Sequence, residues 1–281
     1  MITKNPMQLK AIIKNEAQKK NITAQLVMQN YMLERLLERI SLSKYRNNFI
    51  LKGGFLISAI VGLDTRATMD LDTTIKGVSL THDKIKEIFE DICLVEIEDD
   101  IAFEIVGIAD IRETDDYPGI RVNLKANYDP ISVPLTVDVT TGDIITPREI
   151  EYSFSLLFDD RKISVWAYNL ETVLAEKLET VLSRGIANTR PRDYYDLYIL
   201  WTLRREECDI ETLKSALMHT VVKRGSEKVL EKNKAIVEQI RNSGQLQGFW
   251  KKYEAEYDYA KGIEFQNICD AILNMIDTMG L

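Results

Sequence analysis

The chain is poor in residues that staple or ligate, with only 3 cysteines and 2 histidines among 281 residues. Cys93, Cys208 and Cys269 lie far apart, and with His82 and His219 they form no spaced set of zinc ligands. A zinc module and a disulfide framework are thereby excluded, and reduced cytosolic thiols are the expectation. Pro and Gly are also sparse, at 6 and 13 residues, and neither an internal repeat nor a low-complexity tract is visible. The longest uncharged apolar run, "GGFLISAIVGL", falls short of the ~20 apolar residues that span a bilayer. The opening "MITKNPMQLK" lacks the apolar centre of a signal peptide. These absences read as a cytoplasmic protein with no membrane segment.

Hydrophobic residues make up 45% of the chain, enough to bury a core and to divide it into two lobes, which excludes a disordered or fibrous class. The net charge of −8 argues against a general nucleic-acid coat, but it hides an asymmetry. Residues 161–252 carry 17 Lys+Arg against 12 Asp+Glu, a net of +5, so the rest of the chain stands at −13. That basic stretch reads either as solvated helix faces or as a local binding surface.

From Gln8 to about Ile40 the pattern is helical, with Leu33, Leu36, Leu37 and Ile40 at three-to-four spacing and Asn21 placed as a cap. "NNFILKGG" reads as a short strand entering a turn and "FLISAIVG" as a brief helix. "TMDLDTTI", "IAFEIVGIAD", "IRVNLKANY" and "LTVDVTTGDII" alternate as strands of one mixed sheet, followed by the short strand "KISVWAY". Helices then run from Asn169 nearly to the end. The expected division is a sheet-containing core with N-terminal helices over residues 1–165 and a helical lobe over residues 166–281.

Side chains two apart on a strand share a face, so Asp70 and Asp72 point the same way and repel unless a cation lies between them. Magnesium suits such a pair, because it takes a few carboxylate oxygens and keeps its other positions for water and phosphates. The competing reading is a solvated strand face. Gly53 and Gly54, just upstream, allow backbone amides to approach an anion at the start of a helix, or else mark only a tight turn. Arg66 and Thr68 in "RATMDLD" read as contacts to phosphate, with Thr68 alternatively orienting Asp70, or as ordinary loop surface. In "LTVDVTT" the apolar Leu135, Val137 and Val139 share one face. That leaves Asp138 on the other, either as a third metal-binding acid or simply exposed.

The helix "NLETVLAEKLETVLSRG" runs from a cap at Asn169 to a stop at Gly185. At about 100° per residue, Lys177 falls at the centre of the apolar arc formed by Leu170, Val173, Leu174, Leu178 and Val181. Such a lysine either snorkels at the rim or serves an acidic partner or a phosphate. In "RPRDYYDLYILW", Asp193 and Asp196 lie on the same side as Leu197, Leu200 and Leu203, so Asp196 needs a positive partner among Lys177, Arg190 and Arg192. An ion pair of purely structural purpose accounts for Lys177 and Asp196 nearly as well as catalysis does.

"LKGG", then "R-x-T-x-D-x-D", then "ETVLAEKL" and "RPRDYYDL", in that order, resemble the AbiEii/AbiGii toxin family of nucleotidyltransferase-like toxins related to the MenT toxins, over roughly residues 48–200. The resemblance implies an α+β fold of the DNA-polymerase-β nucleotidyltransferase type, a mixed sheet with flanking helices plus a C-terminal helical lobe. It implies that Gly53, Gly54, Thr68, Asp70 and Asp72 hold nucleotide and metal. Lys177 is implied as the active-site lysine, Asp193 and Asp196 as the late acidic motif, and Arg66 and Arg190 as arginines of the same motifs. The hydroxyl of Thr68 replaces the serine usual in the family, and Asp138 rests on the generic fold more than on the toxin motif.

Such toxins act beside a cognate antitoxin, in toxin–antitoxin or abortive phage infection systems, and the MenT group adds nucleotides to the 3′ end of tRNA. The expected activity is therefore magnesium-dependent transfer from a nucleoside triphosphate to an RNA acceptor, with Asp70, Asp72 and Lys177 converging on one triphosphate. Nucleotidylation of a protein or small molecule, and a non-catalytic nucleotide-binding switch, are the alternatives. Direct contact with the antitoxin is left open.

Overall fold

The computed structural model describes residues 5–111 and 119–281. The first four residues of the opening stretch lie outside them.

The helical pattern at the start forms two helices, α1 (Pro6–Lys20) and α2 (Ala24–Leu42). Asn21 ends the first in the left-handed region at φ 52°, and the Thr23 side chain starts the second by accepting the Leu26 N–H at 3.2 Å. There follow β1 (Phe49–Lys52), α3 (Gly53–Val61), β2 (Asp70–Ile75), α4 (His82–Cys93), β3 (Ala102–Asp110), β4 (Gly119–Tyr128), β5 (Ile131–Thr141), β6 (Ile150–Ser155) and β7 (Lys162–Ala167). Two of these, α4 and β6, are absent from the sequence reading. The strand expected to extend through "GDII" stops at Thr141, because Gly142 turns the chain at φ 78°.

The strands form one seven-stranded sheet in the order β3-β4-β5-β2-β1-β7-β6. It is mixed, since β1 runs parallel to β7 and β2 parallel to β5, while the other neighbours are antiparallel. Alternation sets its faces. Leu135, Val137 and Val139 of β5 are buried, as are Val122 and Leu124 of β4, which leaves Thr136, Asp138 and Arg121 on the other face.

Contacts along the chain define two units, Met1–Asp143 with Glu149–Ala167, and Ile144–Arg148 with Tyr168–Leu281. The first holds the sheet, with α2 as its most charged buried element. Glu34, Arg35, Glu38 and Arg39 are all buried there. Arg35 lies 2.7 Å from Glu34 and 2.6 Å from Glu38, and Arg39 lies 2.8 Å from Asp99. Burial pushes the Glu34 carboxyl up to about 7 against the pull of Arg35 and the Leu157 N–H.

The second unit is helical: α5 (Leu170–Arg184), α6 (Pro191–Arg204), α7 (Ile210–Arg224), α8 (Lys228–Glu231), α9 (Asn233–Arg241), α10 (Gly244–Glu256) and α11 (Phe265–Thr278). Leu174, Leu178, Leu197, Leu200, Leu217 and Ile272 are fully buried in its core. Tyr194 meets the edge of Phe265 and Tyr195 packs on Tyr259, which joins α6 to the C-terminal segment. The helices around the inward lysine stand where the pattern placed them, with Asn169 accepting the Thr172 N–H at 2.8 Å and Gly185 closing α5 at φ 50°.

Among the described residues no helix is long and apolar enough to cross a membrane. Burial pushes all three thiols up, Cys93 to about 11 and Cys208 and Cys269 to about 12, so they stay protonated.

Candidate active site

In the first unit the site is built where β1 turns into α3. Lys52 stands opposite Asp72 in the antiparallel β1–β2 pair, and the chain then turns sharply at Gly53, φ 63°. Both glycines are required by what lies against them. A Cβ on Gly53 would stand on the Asp72 carboxylate, and one on Gly54 would lie 2.9 Å from Thr68 Oγ1 and 3.2 Å from Arg66 Nη2. The closeness makes a bond, since the Gly54 N–H donates to Asp72 Oδ2 at 3.1 Å. This amide at the start of α3, expected to face a ligand, is committed to the acidic strand.

Asp70 and Asp72 lie on one face of β2, the first exposed and the second half-buried. The neighbouring β5 runs parallel and sets Asp138 directly beside Asp72. Burial raises the Asp72 carboxyl above the ordinary range and the Asp138 and Asp70 charges push the same way, while the Gly54 N–H and Lys52 oppose them. Asp138 is itself gripped by Arg121, its register partner on β4, with Nε to Oδ1 and Nη2 to Oδ2 both at 2.8 Å. Lys52 reaches Asp143 at 2.6 Å, and Thr140 Oγ1 donates to the same carboxylate at 2.8 Å. Burial works against the charge on Asp143, yet Lys52 and these hydrogen bonds hold its carboxyl below the usual range.

The segment leading into β2 is tied to α2, because Asn30 donates to the Thr68 carbonyl at 2.7 Å and Gln29 to the Met69 carbonyl at 2.9 Å. Arg66 and Thr68 are therefore interior. Arg66 is only 2% exposed, stands behind Gly54 and donates to the Ala67 carbonyl, while Thr68 Oγ1 lies 3.4 Å from the Asp70 carbonyl. Arg66, read from sequence as a phosphate contact or as loop surface, is in this structure a buried support for the turn.

In the second unit Lys177 is inward, as its position on the apolar arc requires, and it bridges both acids of α6. Its Nζ lies 2.7 Å from Asp193 Oδ1 and 2.9 Å from Asp196 Oδ2. Of the three cations open to Asp196, the structure selects Lys177, while Arg190 and Arg192 are exposed. Arg190 ends the approach to α6, its N–H donating to Asn188 Oδ1 at 2.9 Å. The two acids differ. Asp196 is wholly enclosed, whereas Asp193 keeps one buried oxygen, Oδ2, with no hydrogen-bond partner.

Magnesium, implied by the resemblance, fits the first unit in a restricted way. Among the described residues no group of three or more His, Cys, Asp or Glu is arranged to hold a metal, and Asp138 is occupied by Arg121. A magnesium ion asks for less, one or two carboxylates with the remainder from water and phosphate oxygens. Asp70 and Asp72 meet that, and the crowding that raises the Asp72 carboxyl is what a divalent cation would relieve.

Arg121, Lys52 and Asp143 are functional candidates that sequence reading missed. Lys52 adjoins the Gly-Gly motif and was legible there. Arg121 shows itself only through strand register, on the polar face of "IRVNLKANY".

Among solved structures the chain is similar to a protein from Helicobacter pylori assigned as a nucleotidyltransferase, at 12% identity and a TM-score of 0.51, covering 92% of this chain and 98% of the other. It is likewise similar to JHP933 from Helicobacter pylori, at 13% identity and a TM-score of 0.50, over 92% and 94% of the two chains. These likenesses establish the nucleotidyltransferase fold with its mixed sheet. No curated protein sequence matches the chain. Residues 35–271, well over half of it, match the family model described as the nucleotidyl transferase AbiEii toxin of type IV toxin–antitoxin systems. With the glycine turn, the acidic strand and the lysine-bridged acids in place, the chain belongs to the AbiEii nucleotidyltransferase toxin family.

Proposed function

We propose that the chain transfers a nucleotide from a nucleoside triphosphate to the 3′ end of an RNA, with tRNA as the acceptor, and that this arrests growth unless the cognate antitoxin intervenes. The observation that carries the reading is the Asp70–Asp72 pair, packed against Gly53 and Gly54 and crowded enough to raise the Asp72 carboxyl. A solvated strand face needs no such construction.

Asp70 and Asp72 would hold magnesium, which when bound supplies charge neutralisation to the triphosphate. The acceptor 3′ oxygen attacks the α-phosphorus, the bond to the β-phosphate oxygen breaks, and pyrophosphate leaves. Lys177 counters phosphate charge, held ready by Asp193 and Asp196. Catalysis on this reading is positioning and electrostatics. The +5 balance of residues 161–252 favours an acceptor rich in phosphate.

Sequencing RNA 3′ ends after induced expression tests it. Added nucleotides on tRNA ends with the wild type, and none with Asp72→Ala, are expected. Growth arrest with unaltered RNA ends would reject an RNA acceptor.

A further inference from the structure

Asp138 occupies the place from which a third acid would join the Asp70–Asp72 pair, beside Asp72 on the adjacent strand. Both of its oxygens are nevertheless engaged by Arg121. A two-bond fork is the strongest hold a neutral-pH side chain exerts on a carboxylate, and it fixes the guanidinium plane. Arg121 remains 46% exposed, its charge is also felt by Asp70 and Asp72, and none of the described residues engages its Nη1.

Charge leads to the same place. Three carboxylates with one divalent ion would still present a net negative site to a triphosphate, and a fixed guanidinium brings the set to neutrality.

We propose that Asp138 is a positioning residue rather than a metal ligand, and that Arg121, oriented by it, is a substrate-binding residue whose Nη1 edge holds a phosphate oxygen beside the Asp70–Asp72 pair. The proposal rests on the nucleotidyl-transfer reading. The phosphate belongs either to the triphosphate or to the acceptor strand, and the fork serves both, since an uncommitted edge held rigid loses little entropy on binding.

Equilibrium binding of a fluorescent nucleoside triphosphate with Ca2+, and separately of total tRNA, tests it in the full-length protein, alongside Mn2+ binding followed by electron paramagnetic resonance. Arg121→Ala should weaken one of the two phosphate ligands by roughly ten- to a hundredfold. Asp138→Asn should give a similar loss, the double variant should be no worse than either single one, and Arg121→Lys should recover little. Mn2+ binding should survive in all of them, shifted only as the removal of a neighbouring charge requires. Loss confined to the triphosphate assigns Nη1 to the nucleotide, and loss confined to tRNA assigns it to the acceptor. The proposal is overturned if Arg121→Ala binds both ligands as the wild type does, or if Asp138→Asn loses Mn2+. A wild type that binds neither ligand rejects the nucleotidyl-transfer reading itself, and the role of Arg121 with it.

Discussion

Gly53 backs directly onto Asp72, so closely that the space of a Cβ at residue 53 is already filled by the carboxylate. The glycine pair and the acidic strand are thus one structural unit, in which the turn can close only because it lacks side chains.

Substituting Gly53 separates this contact from simple backbone strain. Gly142 is equally left-handed, at φ 78°, but nothing lies within 4 Å of its missing Cβ. Gly142→Ala should cost about 1 kcal/mol, whereas Gly53→Ala should cost about 2–3 kcal/mol and weaken triphosphate binding as well. Urea unfolding of the two variants gives the comparison. Equal losses would mean that the Asp72 contact carries no weight.

Lys177 holds two carboxylates that are otherwise enclosed. Lys177→Met should destabilise the protein by about 3 kcal/mol at pH 7 and abolish growth inhibition. Thermal melts of both proteins at pH 7 should show the loss, and equal melting temperatures would mean that the ammonium is not what holds the two acids.

Glu34 offers a pH signature, away from the site. Its folded carboxyl, pushed up to about 7 by burial, lies above the ordinary 4.5. The stability it contributes is present below 4.5 and lost as pH rises through 7. Glu34→Gln should flatten the melting temperature between those limits. An unchanged slope would show that Arg35 already holds the carboxylate ionised.

Lys52 opposes the rise in the Asp72 carboxyl. Replacing it by Met should push that carboxyl further up. Activity that needs ionised Asp72 is lost as pH falls through this value, so the acid limb of the pH–rate profile should move to higher pH in Lys52→Met. A limb that stays put would uncouple Asp72 from the reaction.

What could be read from sequence was what depends on local periodicity. The alternation in "TMDLDTTI", the Asn169 cap and the charge at the centre of the α5 arc are each set within a few residues, and the structure has them so. The helix α4 carries its own signal too, with Ile85, Ile88, Phe89 and Ile92 at helical spacing behind the Thr81 cap. Other features were beyond reach because they depend on distant partners. Arg121 meets Asp138 from 17 residues away across a hairpin whose register the pattern of "IRVNLKANY" does not determine. Arg66 looks like a loop cation until α2, whose Asn30 bonds Thr68 from 38 residues away, draws the segment inside.

On the proposed function, nucleotide transfer to RNA depends on Asp72 and on Lys177. Incubating the purified protein with magnesium, α-phosphate-labelled nucleoside triphosphates and total cellular RNA and protein tests it most directly. Label should enter RNA with the wild type and not with Asp72→Ala or Lys177→Ala. Label appearing only in polypeptide, or reaching RNA equally with the two variants, would contradict it.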